Sequence, residues 1–147
     1  MPEIIQRSLV DLALNNLTGG LNKNLAGLKA STNGAWNRLT EARKAARKNL
    51  DNLYDAADSD RKKKHDAEIA AYKGESGKPD APSYDSHQQK LDSINDAYKV
   101  KRKEADESFD KDCTEAENEF REKSKDYIAA YIKNVNVTLE TFQSAHP

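Results

Sequence analysis

Apolar and aromatic residues return along this chain every eleven positions. Counting from Tyr98 gives Tyr98, Phe109, Phe120, Tyr131 and Phe142, five of the ten aromatic residues in one column. The adjoining column, Ile94, Ala105, Ala116, Tyr127 and Thr138, is mostly small or apolar. Eleven residues close three helical turns at about 3.67 residues per turn, so the pattern holds one stripe on one side of a nearly straight helix. The first half repeats the spacing in Leu17, Leu28, Leu39 and Leu50, with Arg61 and Tyr72 next in line.

The pattern predicts an all-α protein: an elongated antiparallel helical hairpin, coiled-coil-like with an eleven-residue repeat, and an additional N-terminal helix. Residues 3–33 form the apolar N-terminal segment, with Ile4, Ile5, Leu9, Val10, Leu12, Leu14 and Leu17 spread around the helix. Thr18-Gly19-Gly20 and Ser31-Thr32-Asn33-Gly34 are candidate helix ends. The apolar phase survives both, so either the helix runs through at about 1 kcal/mol per glycine relative to alanine, or it breaks and resumes almost collinearly. One break near Asn33-Gly34 is expected, with the first long helix over 35–72. Two glycines and two prolines in 73–85 mark the tip loop. The second long helix is expected over 86–143, opened by a capping box of Ser86 and Gln89.

Folding the second helix back about the loop's centre, between Pro79 and Asp80, brings together residues whose numbers sum to about 159. The seam then consists of Leu17, Leu28, Leu39 and Leu50 against Phe142, Tyr131, Phe120 and Phe109, with Tyr98 continuing the aromatic line and Tyr72 opposite His87. Bases also come opposite acids in this register: Arg43, Lys44, Arg47 and Lys48 face 110–117, Asp58 and Asp60 face Lys99 and Lys101, and 61–64 approach Asp92 and Asp96. Exposed pairs contribute only about 0.2–1 kcal/mol each, so they select the register more than they hold it.

Composition narrows the function classes. The 147 residues are 36% apolar and 33% charged, against about 45–50% and about 25% in ordinary globules, so the core is thin. A net charge of -1 supplies no overall attraction to nucleic acid or anionic membrane. The single cysteine, Cys113, excludes an internal disulfide framework. The N-terminus lacks signal-peptide character and no apolar run is long enough to span a bilayer, so a soluble protein, cytoplasmic at synthesis, is expected. It is free to enter a larger assembly.

Candidate chemistry is sparse. His65, His87 and His146 stand apart and read as surface residues; no metal, cofactor, catalytic residue or small-molecule substrate is expected, and Gly74 and Gly77 belong to the tip rather than to a phosphate loop. One stripe is too little to hold such helices against about 1–2 kcal/mol of backbone entropy per residue. A protein partner or homo-oligomer is therefore expected to cover the apolar end, through Ile4, Ile5, Leu9, Leu12, Trp36, Ile128, Ile132, Val135 and Leu139. The expected function is that of a non-enzymatic structural or assembly component, a spacer or adaptor in a larger particle such as a virion or secretion apparatus. The alternative is a small binding or inhibitory protein that contacts nucleic acid or an acidic partner through a basic belt of Arg61, Lys62, Lys63, Lys64, Lys99, Lys101, Arg102 and Lys103.

Overall fold

The computed structural model describes residues 2–145, with side chains from residue 7 onward. Ile4 and Ile5 thus fall outside the described side chains, and His146 outside the described residues. The fold is all-α: α1 spans Pro2–Glu75 and α2 spans Tyr84–Ala145, with no strand among the described residues. The two long helices pack together.

α1 is one uninterrupted helix, so the separate N-terminal helix and the break near Asn33-Gly34 are not found. The glycines stay helical because the seam continues through them. Gly20 lies where α2 comes close: a Cβ built there would stand 2.9 Å from Thr138 Cγ2. Thr32 Oγ1 donates to the Leu28 carbonyl at 2.8 Å and Thr40 Oγ1 to the Trp36 carbonyl at 3.0 Å, so these hydroxyls bond within α1 instead of ending it.

The connection is shorter than the expected 73–85, because α1 runs on to Glu75 and α2 starts at Tyr84. Two turns build it. Lys78 N–H donates to the Glu75 carbonyl at 3.2 Å, and Gly77 takes φ 85°, the left-handed value that a type II turn requires at its third position. Ala81 N–H then donates to the Lys78 carbonyl at 3.1 Å, with Pro79 in the second position that its fixed φ suits. The cap of α2 is Ser83 rather than the Ser86 and Gln89 box: Ser83 Oγ accepts from Ser86 N–H at 3.0 Å.

The chain divides into two compact units, the terminal unit of Met1–Glu41 with Ala116–Pro147 and the loop-bearing unit of Ala42–Glu115. In the terminal unit Ala13, Ala35 and Leu39 are buried, while Leu17, Leu28, Phe120, Tyr131 and Phe142 are half-buried. Trp36 meets Phe120 edge-on, ring centroids 5.8 Å apart. Asn24 Nδ2 donates to Thr138 Oγ1 at 3.0 Å, and Thr138 Oγ1 donates to the Asn134 carbonyl at 2.9 Å. In the loop-bearing unit Ala46, Leu50, Ala57, Ala105 and His87 are buried, with Tyr98 and Phe109 half-buried. Tyr72 stacks on His87 at 4.1 Å, in the register set by the loop.

The deepest side chains are mainly alanines rather than the aromatic column. Interhelical spacing of about 8–10 Å depends on the residues at the contact. Alanine brings the backbones together, and the large rings then straddle the line of approach and stay partly exposed. Leu39 and Leu50, at 4% and 6% exposure, each contribute about 1.5–3 kcal/mol by burial. His87 departs from the surface role expected of it: it is 7% exposed, and its Nδ1 lies 3.0 Å from Glu68 Oε1.

The helical glycines separate propensity from packing. Nothing lies within 4 Å of a Cβ at Gly19 or Gly27, so Gly19→Ala and Gly27→Ala are each expected to stabilise by up to about 1 kcal/mol. Gly20→Ala should gain less or lose, because the new methyl displaces Thr138 from Asn24. Urea unfolding followed by circular dichroism checks the order, and an equal gain at all three positions would show that α2 does not pack closely at Gly20.

Candidate interaction surface

Charge is unevenly divided. In the terminal unit about one residue in five is Asp, Glu, Lys or Arg, against nearly one in two in the loop-bearing unit. Exposed large apolar side chains follow the opposite trend. Leu9, Val10, Leu12, Leu14, Leu25, Trp36, Ile128, Ile132, Val137 and Leu139 all belong to the terminal unit; the loop-bearing unit has Leu53, Tyr84 and Val100. Trp36 is 52% exposed and Ile132 54%.

Helical geometry sorts these residues. Leu14, Leu25 and Trp36 are eleven apart, hence one line along α1, roughly a quarter-turn from the buried line of Ala13, Ala35 and Leu39. Ile128 and Leu139 form a corresponding line on α2, with Ile132 one turn beyond Ile128. In an antiparallel pair, flanks reached by the same rotation from each helix's buried line lie on the same side, so these two lines share one face. The opposite face is mixed: it carries exposed Leu9, Leu12 and Val137, and there Arg38 Nη2 donates to Tyr127 Oη at 3.0 Å. Two shallow grooves also open on that face, about 280 Å³ beside Ala13, Leu17, Val137 and Phe142, and about 310 Å³ beside Gly27, Leu28, Ala130 and Tyr131.

The structure therefore divides the expected contact set. Trp36, Ile128, Ile132 and Leu139 share the apolar face, with Val135 half-buried at its edge, whereas Leu9 and Leu12 lie on the other side of α1. Leu14 and Leu25 belong to the face but were absent from the expected set. The signal that finds them is the eleven-residue spacing to Trp36.

In the loop-bearing unit the basic belt is largely engaged within the hairpin. The Arg61 guanidinium lies 4.0 Å from the Tyr98 ring centre, and that of Arg102 lies 3.9 Å from Tyr54. Arg102 Nη1 also donates to Tyr98 Oη at 2.8 Å, and Tyr98 Oη donates to Asp58 Oδ1 at 2.6 Å. Tyr54 Oη donates to Asp106, and that bond, followed by desolvation, holds the phenol above its ordinary pKa. Lys101 and Lys64 both reach Asp60 Oδ2 at 3.0 Å, and Lys103 lies 4.0 Å from Glu107. Arg61 and Lys64 are thus turned away from Asp92, which accepts from Gln88 instead. Lys62, Lys63 and Lys99 face solvent. A polar groove of about 610 Å³ beside Asp58, Arg61, Lys62, His65, Asp66 and Tyr98 mixes both signs of charge.

No protein-family model, curated protein or solved structure matches this chain. Among the described residues no helix is long and apolar enough to cross a membrane.

Lys101, and then Lys64, hold the Asp60 carboxyl below its ordinary pKa by hydrogen bonding to its charged form. A depressed folded pKa stabilises above the unfolded value of about 3.9, and the contribution is lost as pH falls through the lower folded value. Lys101→Ala is accordingly expected to lower the urea midpoint slightly at pH 7 and to leave it unchanged near pH 2. A difference of the same size at both pH values would assign the effect to packing of the lysine stem.

Proposed function

We propose that this protein is a non-enzymatic structural or assembly component that works through helix–helix contacts with other protein surfaces. The contact is made by the apolar face of the terminal unit. The single observation that carries this reading is the gathering of exposed Leu14, Leu25, Trp36, Ile128, Ile132 and Leu139 on one side of that unit. Contiguous exposed apolar patches above a few hundred Å² mark interaction sites on otherwise polar proteins. The eleven-residue repeat is, on this reading, the organising period: a coiled-coil-like seam holds the two helices together and leaves the flank beside it to a partner.

The test places a photo-crosslinking residue at position 132 and, in a second variant, at position 63. In the producing cell position 132 is expected to give discrete protein adducts and position 63 to give few. Adducts equally abundant at both, or none at 132, would overturn the reading.

A further inference from the structure

The apolar face has an internal symmetry. Leu25 lies midway between Leu14 and Trp36 on α1. On α2 the midpoint of Ile128 and Leu139 falls between Lys133 and Asn134, which face residues 25 and 26 in a register summing to about 159. Both lines are thus centred at the same height within the terminal unit. A two-fold axis through Leu25, lying across the helices, exchanges Leu14 with Trp36 and Ile128 with Leu139. A patch that maps onto itself is what an isologous interface requires.

We propose that the occupant of this face is a second copy of the chain, packed antiparallel about that axis, so that α1 lies on α1 and α2 on α2. The inference rests on the reading of this face as a protein contact and names its partner. Size complementarity supports it, because the broad Trp36 ring of one protomer meets the smaller Leu14 of the other. No base meets a base: Lys29 comes opposite Leu21, and Lys125 opposite Phe142. The area suffices as well. Six side chains between 38% and 54% exposed present on the order of 600 Å² per copy, about 1,200 Å² for the pair, where stable interfaces begin.

Analytical ultracentrifugation of the full chain is expected to give twice the 16.4 kDa chain mass at micromolar concentration. Trp36→Glu should raise the dissociation constant by at least about 30-fold with unchanged helicity. Register is read by cysteines in a Cys113→Ser background. Leu25→Cys, on the axis, is expected to give a disulfide dimer with diamide. Leu14→Cys and Trp36→Cys should each give little alone and link when the two variants are mixed.

A single-chain mass at 100 µM overturns the dimer, and flotation of that monomer with phosphatidylglycerol vesicles would assign the face to lipid. A dimer that Trp36→Glu weakens but Leu25→Cys does not link overturns the two-fold arrangement while leaving the contact reading standing. A dimer indifferent to Trp36→Glu overturns the proposed face itself.

Discussion

Two helices that pack only on each other bury one stripe apiece, and the whole structure answers to that constraint. A helix in a four-helix bundle meets neighbours on two sides and can bury large side chains outright. Among the described residues no large side chain is fully buried, and seven of the eight buried ones are apolar, five of them alanines. Small residues maximise the backbone contact that a single line of approach allows. The larger ones cover that line from the sides, each with part of its surface in water. Cohesion is therefore spread along the helices in small increments.

The two units supplement the stripe by different chemistry. In the loop-bearing unit rings and charges do the covering: Arg102 between Tyr54 and Tyr98, Arg61 on Tyr98, His87 between Tyr72 and Tyr84. A guanidinium on a ring shields apolar carbon while its edge keeps donors for water or a carboxylate. In the terminal unit Asn24–Thr138 bonds within the seam and Arg38–Tyr127 bridges one side of it, while the other side carries Leu14, Leu25, Ile128 and Leu139, which make no such adjustment to water. An aliphatic flank on a pair this thin gains from burial only when another surface arrives.

The helical class, the hairpin and its register were legible because period and phase are properties of residue order. Tyr72 meets His87, and Lys101 meets Asp60, as the loop position implies. The break at Asn33-Gly34 was misread because propensity treats a glycine as a weakness wherever it stands, while Gly20 shows one acting as clearance for a neighbouring helix. Ser83 was passed over as a cap because the proline before it drew the loop's boundary too far along. The small column with Ala105 was legible on α2, but on α1 hydrophobicity weights the leucine column above the line of Ala13, Ala35, Ala46 and Ala57, although alanines come closest to the opposing backbone. His87 looked like surface because a lone histidine on a charged helix usually is; burial came from Tyr72, and Glu68 supplied its partner.

The apolar face was half legible, for a geometric reason. Overall hydrophobicity marks residues 3–17 as the region seeking contact, but a face is defined by rotation about the helix. Leu12 and Leu14 are two positions apart and point to different sides, whereas Leu14 and Trp36 are six turns apart and point to the same one. Residues eleven apart on a helix return to nearly the same angle three turns later, so Leu14, Leu25 and Trp36 form a line beside the buried one. Where such a flanking line is charged, its side chains meet water and polar partners, Asp51 for Arg47 and Tyr98 for Asp58. Where it is leucine and tryptophan, as at Leu14, Leu25 and Trp36, apolar surface extends past what the second helix covers.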